Sequence, residues 1–425
     1  MKRILPLLLA ISLLATNLFA FSGFDDIFAP TTSLDESAKP TVSGSGSVGA
    51  DVGVFLDDLH FSEQLLRLNL LVDSQSFKSE AALSYDALDQ SLQVSTASVT
   101  YFFDWGQIEA GLLKEEWGSA DGLHVVDVLN AFDYSKGFSD DLASMKRSEF
   151  MVGTTLYKGS SSLQLYFKPT FTPGLSAMEG RWSLLPQTLT LTIKEPPKTD
   201  SWEYAQFALR GRTSIGGVDL GLLYYRGHMA QPGAVLTMTG MTTADMDIVY
   251  TPYQLFGTEA TYLLGQFTFM AEGGYLLSKD RPGSDPTLYN SKWVYLGGVS
   301  YLEPTSNLYL ALMYNGHFVE HYDKVEPNAL DVDQAQAFDN KAYGNTLTLA
   351  MEVPLFRERV KVRLGATYQI ETEGYALLPS IGWQVSDTLL LECKAVVYGS
   401  LGSKSSVFKT WEGNDSLTIG MTHYF

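Results

Sequence analysis

The chain has 425 residues, 45% of them hydrophobic and 12% aromatic, and its 29 basic residues face 48 acidic ones for a net charge of −19. That balance excludes nucleic-acid binding as a whole-protein role, and a single cysteine, Cys393, excludes an intramolecular disulfide framework. Beyond the N-terminus no run reaches the ~18 apolar residues of a transmembrane helix, which leaves a large secreted β protein or a membrane barrel.

Residues 1–20 read as a secretory signal. Lys2 and Arg3 precede an apolar run from Ile4 to Leu14, and Ala20 supplies the small-residue exit. The apolar core is too short to span a bilayer. Residues 21–44, containing FSGFDDIF and SLDESAKPTVSGSGS, read as a periplasmic N-terminal lead-in.

From residue 45 to 425 the chain becomes a series of segments with period-2 alternation. In the first half they fall at 45–57, 63–73, 77–86, 91–103, 105–117, 147–158, 161–173, 202–214 and 217–229. The second half has 253–264, 267–278, 291–302, 306–319, 343–354, 359–371, 374–385, 388–399 and a terminal strand 415–425. Pattern counting therefore predicts about 18 strands. Long connections follow only odd-numbered segments, and tight ones such as GSS (159–161), GQ (265–266) and SD (386–387) follow even-numbered ones. Sorting of loops by parity is a barrel property, with short periplasmic turns and long extracellular loops. The fold expected is an all-β transmembrane antiparallel barrel.

The alternation separates two faces. Val360, Val362, Leu364, Ala366 and Tyr368 lie opposite Lys361, Arg363, Gly365, Thr367 and Gln369. A charge on the lipid face near mid-bilayer costs about 2–4 kcal/mol, so the charged face points into the lumen. The inward set expected is Arg67, Lys168, Arg210, Arg212, Glu259, Glu272, Glu352, Lys361, Arg363, Glu392 and Lys394. Tyr101, Phe102, Trp105, Trp117, Tyr157, Trp202, Tyr224, Tyr225, Trp293 and Tyr301 are expected to form interfacial girdles.

The last strand, DSLTIGMTHYF, places Leu417, Ile419, Met421, His423 and Phe425 on one face. It resembles the C-terminal signature of bacterial outer-membrane barrels, which implies that Phe425 is read by the barrel-assembly machinery. A Tyr is more usual where His423 stands.

The longest connection rich in chemistry is 118–149. Its apolar middle, with Leu123, Val125, Val126, Val128, Leu129 and Phe132, must bury against something, and folding inward as a constriction is the simplest answer. The run GLLKEEWGSADGLHVVDVLNAFDY followed by DDLASMKRSEFM is similar to a segment of porin-like outer-membrane barrels of the alginate-export type. The matching positions are Gly111, Trp117, Gly118, Asp121, Asp127, Val128, Leu129, Asn130, Asp133, Lys146 and Arg147. Leu112 and Leu113 stand where that group has a polar Arg-Gln pair, and Ala131 replaces a proline. The resemblance implies an 18-stranded barrel that carries solutes. Asp121, Asp127, Asn130, Asp133, Lys146 and Arg147 are the loop candidates, with Lys168, Arg210, Arg212, Glu259, Glu272, Lys361 and Arg363 on the wall. The same polar residues also fit turn capping and bracing of the loop.

Other constellations are weaker. His317-Phe318-Val319-Glu320-His321 matches an H-x-x-E-H zinc spacing, but that chemistry needs a helix and this run continues a strand pattern. No serine stands with His60, His124 or His228 in a recognisable nucleophile motif, so the chain is not read as an enzyme. No metal or other cofactor is expected. The function expected is an outer-membrane porin of a double-membraned bacterium, passing small hydrophilic solutes through a constriction at 118–149. A surface adhesin or structural barrel, binding host or matrix molecules through its outer loops, is the alternative.

Overall fold

The computed structural model describes residues 42–120, 122–139, 141–185, 190–325, 331–336 and 338–425. The signal segment 1–20 and nearly all of the 21–44 lead-in lie outside the described residues. The first seven strands are β1 (Ser43–Phe55), β2 (Phe61–Asp73), β3 (Phe77–Asp86), β4 (Ser91–Phe103), β5 (Gly106–Leu113), β6 (Glu149–Lys158) and β7 (Ser161–Lys168). Next come β8 (Thr190–Ile193), β9 (Gln206–Ile215), β10 (Val218–His228), β11 (Gly233–Met238), β12 (Thr243–Val249), β13 (Pro252–Leu264) and β14 (Phe267–Ser278). The series ends with β15 (Lys292–Leu302), β16 (Tyr309–Val319), β17 (Tyr343–Leu355), β18 (Val360–Gln369), β19 (Gly374–Ser386), β20 (Leu389–Ser400) and β21 (Ser416–Tyr424). Two one-turn helices, α1 (Leu142–Met145) and α2 (Val407–Thr410), lie in connections.

Eighteen strands, all but β8, β11 and β12, form one antiparallel sheet. It closes where β21 returns to β1, with Ile419 opposite Val52 and Met421 opposite Ala50. At that seam Gly46 N–H donates to Phe425 at 2.9 Å and Phe425 N–H donates back at 3.0 Å. Closure satisfies the backbone groups that an open edge would leave unpaired. Among the described residues no helix is long and apolar enough to cross a membrane.

The alternation resolves into two walls. Outward positions are apolar and exposed, as at Leu222, Phe256, Phe269, Leu312 and Ile419. Their inward neighbours on the same strands include Glu259, Glu272 and Met313, all buried. A continuous apolar belt of this kind suits hydrocarbon and not water. The tight turns 159–160, 216–217, 265–266 and 387–388 all fall at one rim, and the long connections fall at the other.

The sequence expectation needs correcting in three places. First, β5 stops at Leu113 rather than 117, and β7 at Lys168 rather than 173. The backbone there is claimed from outside the sheet: Asn130 donates to the Leu113 carbonyl, Lys146 to that of Glu115, and Phe171 N–H to Thr199. Second, two long connections are not plain loops. β8 pairs in parallel with β12, and β12 pairs antiparallel with β11, giving a small second sheet. Third, Trp117 and Tyr225 do not belong to an interfacial girdle. Both are fully buried on the inner side, where they pack with Val126, Leu129, Met151, Leu223 and Leu255.

Candidate functional site

The connection from β5 to β6 folds against the inner wall, and its apolar middle finds there the partners that its sequence demands. Val126 and Leu129 are completely buried. Removing a branched aliphatic side chain of this size from water stabilises by about 1.5–3 kcal/mol. Val126 Cγ1 sits over Gly257 and Gly274 of the wall, 3.4 and 3.6 Å from where a Cβ would stand, which is ordinary van der Waals contact. Ala120 and Leu123 extend the contact to Met270, Leu296 and Met313 on β14 to β16.

Polar groups then fix the register of the loop on the wall. Glu272, on β14, accepts from Ser119 N–H at 2.8 Å, Ala120 N–H at 3.1 Å and Val125 N–H at 2.9 Å. His124 Nδ1 meets the same carboxylate at 2.9 Å, while its Nε2 reaches Glu116 at 2.7 Å. Burial pulls the His124 imidazole down, but the two carboxylates more than reverse this and hold its pKa above the ordinary histidine value. Gly118 makes the clamp possible. Its φ is +130°, and a Cβ there would overlap both the His124 ring and a Glu272 oxygen.

Arg210, on β9, adds the second anchor. Its guanidinium donates to the Gly118 carbonyl at 3.0 Å and grips Glu259 through Nε at 3.0 Å and Nη2 at 2.6 Å. Arg212 shares Glu259 at 3.2 Å. A buried ion pair such as that of Arg210 with Glu259 contributes little net stability, but losing one partner leaves a stranded charge at a cost of about 3–5 kcal/mol.

The loop candidates are gathered at its feet. Asn130 accepts from Glu115 N–H at 2.8 Å and donates to the carbonyls of Leu113 and Arg147 at 2.9 Å each, tying the entry of the loop to its exit. Lys146 meets Asp127 at 2.5 Å and the Glu115 carbonyl at 2.8 Å. Burial pushes the Asp127 carboxyl up, against the pull of Lys146. Asp133 closes a local turn by accepting from Ser135 N–H at 2.9 Å, and Arg147 donates to the Pro173 carbonyl. Lys168 pairs with Glu149 at 2.7 Å and also caps the Leu129 carbonyl at 2.5 Å. Asp121 lies outside the described residues.

The opposite wall is different in kind. Lys361 and Arg363 share Glu352 at 3.2 and 2.7 Å, and Arg67 meets Asp51 at 2.7 Å. The side chains of Lys361 and Arg363 are 40% and 45% exposed, so this charged surface faces water. Lys361 and Arg363 thus do not join the loop cluster. A cleft of about 320 Å³ separates the loop's foot from β3 to β5 and is lined by Lys78, Glu80, Ser98, Gln107, Glu109 and Glu115.

His124, Glu115, Glu116, Glu109 and Tyr166 are the site residues that sequence reasoning missed. Glu109 had a usable signal, since it shares the inward face of β5 with Gln107. His124 and Glu115 had none, because Glu272 and Tyr166, which hold them, stand on other strands 148 and 51 residues away. In the H-x-x-E-H run, His317 Nε2 meets the Gln336 carbonyl while Glu320 accepts from Tyr275 and Trp293. The three side chains do not converge, and among the described residues no group of three metal-ligating side chains does.

No family model matches the chain, and no curated protein does. Solved structures do. OccK3 (OpdO) of Pseudomonas aeruginosa superposes with a TM-score of 0.54 at 7% identity, over 90% of this chain and 95% of that one. OccD3 (OpdP) of the same organism gives 0.53 at 10% identity, over 93% and 95%. OccK11 (OpdR), also from P. aeruginosa, gives 0.53 at 10% identity, over 90% and 96%. The fold is that of a porin-like barrel. At these identities the likeness concerns the fold alone, and the chemistry of this barrel is carried by its own residues.

Proposed function

We propose that the protein is an outer-membrane channel of a double-membraned bacterium, passing small hydrophilic solutes by diffusion. The 118–149 loop is its constriction. The single observation that supports this most is the asymmetry of the lumen: one wall is occupied by a loop clamped through Glu272 and Arg210, while the other presents exposed charge pairs such as Glu352 with Lys361 and Arg363. A barrel of about 18 strands is wider than its side chains can fill, so a loop docked on one side narrows the passage without sealing it. Asp127, Asn130, Lys146 and Arg147 act in this reading by holding the loop in shape. Arg212, Lys361 and Arg363 face the permeating solute.

The terminal strand, with Phe425 at its end, fits recognition by the barrel-assembly machinery. The finer affinity to alginate-export barrels rests on the 111–147 segment. The experiment is solute entry into liposomes carrying the refolded protein, using sugars of increasing size. Entry that falls steeply with solute size supports a constricted diffusion channel. Folded protein that admits none of the sugars overturns the reading.

A further inference from the structure

Inside the cleft two carboxylates converge on one hydroxyl. Tyr166, on β7, has its hydroxyl 2.6 Å from Glu109 and 2.8 Å from Glu115. A phenol carries one hydrogen and so donates to one carboxylate only. A second hydrogen, held on the Glu115 carboxyl, satisfies the second short contact. The three side chains together therefore hold one proton more than two free carboxylates and a phenol would.

We propose that Glu109 and Glu115, joined through Tyr166, are the specificity-determining pair of the conduit, and that they favour cations once Glu115 has released its proton. The inference rests on the channel reading above. The released form carries one more negative charge in the cleft, the proton going to solvent and Tyr166 keeping its own hydrogen.

Among the described residues no cation pairs directly with either carboxylate, and Lys146 only offsets the Glu115 charge in part from a distance. On the rest of the lumen wall Asp51, Glu259 and Glu352 each have a cation beside them, in Arg67, Arg210 and Arg363. In the cleft, Lys78 on β3 is taken by Glu80. Lys114 turns to the Ser144 carbonyl at 3.3 Å. Lys146 gives its contacts to Asp127 and to the Glu115 backbone, not to the Glu115 carboxylate. Glu116 and His124 engage each other on the far side of the loop foot. On the β9 side, Arg210 lies 5.9 Å over the Trp117 ring, which packs edge-on against Tyr166, and its charge is committed to Glu259. Burial, and then the charge of Glu109, push Glu115 up to about 7, so release falls in a physiological range.

The test is the reversal potential of the refolded full chain across an about tenfold KCl gradient at low total salt, where wall charges are least screened. It is measured at about pH 5.5 and about pH 8.5, on either side of neutrality. The expected result is a potassium-to-chloride permeability ratio that rises about twofold or more with pH, and a rise abolished in Glu115→Gln. Glu109→Gln is the second variant and abolishes it too, so failure of one variant to fold leaves the other to decide. Because the readout is a ratio, it does not depend on how many channels insert. Steady conductance with the same ratio at both pH values, or a rise that survives both substitutions, overturns the inference and leaves the channel reading intact. A folded barrel that never conducts overturns both.

Discussion

At the scale of single residues, the loop depends on one carboxylate. Glu272 serves three backbone N–H groups and an imidazole, each of which would otherwise be unsatisfied against the wall. Hydrogen bonds to a charged acceptor contribute about 1.5–3 kcal/mol each and are not additive. Glu272→Ala is therefore expected to release the 114–125 segment while the barrel still forms. Single-channel recordings should show frequent brief fluctuations absent from the parent, and quiet recordings would count against the clamp.

Protons act on the same contact. His124 and Glu115 both bind protons more tightly in the docked loop than in a free one. Docking is thus strongest below their ordinary pKa values and weakens as pH climbs through the raised ones. For Glu115 the loss falls between 4.5 and about 7. Hydrogen exchange in residues 114–125, corrected for the intrinsic rate, should be faster at about pH 8.5 than at about pH 5.5. The opposite order would reverse the sign of this linkage. Residues such as Arg210, Glu259 and Glu272 were legible in the sequence because a charge at an inward position of an alternating strand has only one place to point. His124 and Tyr166 were not, because their partners are set by how the loop returns to the wall.

At the scale of elements, period-2 alternation gave the barrel strands, but their ends were decided by competition for backbone groups. β5 ends where Asn130 takes the Leu113 carbonyl, a contact across 17 residues that no local pattern encodes. The short strand β8 was hidden for a related reason, since it pairs only with β12 in another connection, whereas β11 and β12 form a local hairpin inside a single connection. The connections are also stitched together by aromatics. Trp182 lies edge-on to Trp411 at 5.4 Å and to Tyr398 at 5.8 Å, and its carbonyl accepts from Trp411 Nε1 at 3.0 Å. Arg181 beside it pairs with Asp57 and Asp58 on the β1–β2 turn. Trp182→Ala is expected to cost about 2 kcal/mol, less than a fully buried tryptophan would. Limited proteolysis should then cut within 174–185 and 401–415 sooner than in the parent. Unchanged cleavage would show that the connections hold without this contact.

At the scale of the whole molecule, the two faces of one sheet meet two solvents. Leu222 projects from the middle of β10 and is 71% exposed on the outer surface. Thr348 on β17 lies on the inner surface, on the same side as Glu352. An arginine at the first position should cost about 2–4 kcal/mol of stability in lipid and at the second little. Urea titration of Leu222→Arg and Thr348→Arg in vesicles checks the difference, and equal losses would contradict the assignment of the faces. The closure of this sheet, with a loop clamped inside it, carries the functional account. The most direct test is conductance of the refolded protein in a planar bilayer beside a variant lacking residues 119–145. Open channels are expected in both, with larger conductance and weaker selectivity after the deletion. Identical conductance and selectivity in the two proteins would contradict the loop's role as the constriction.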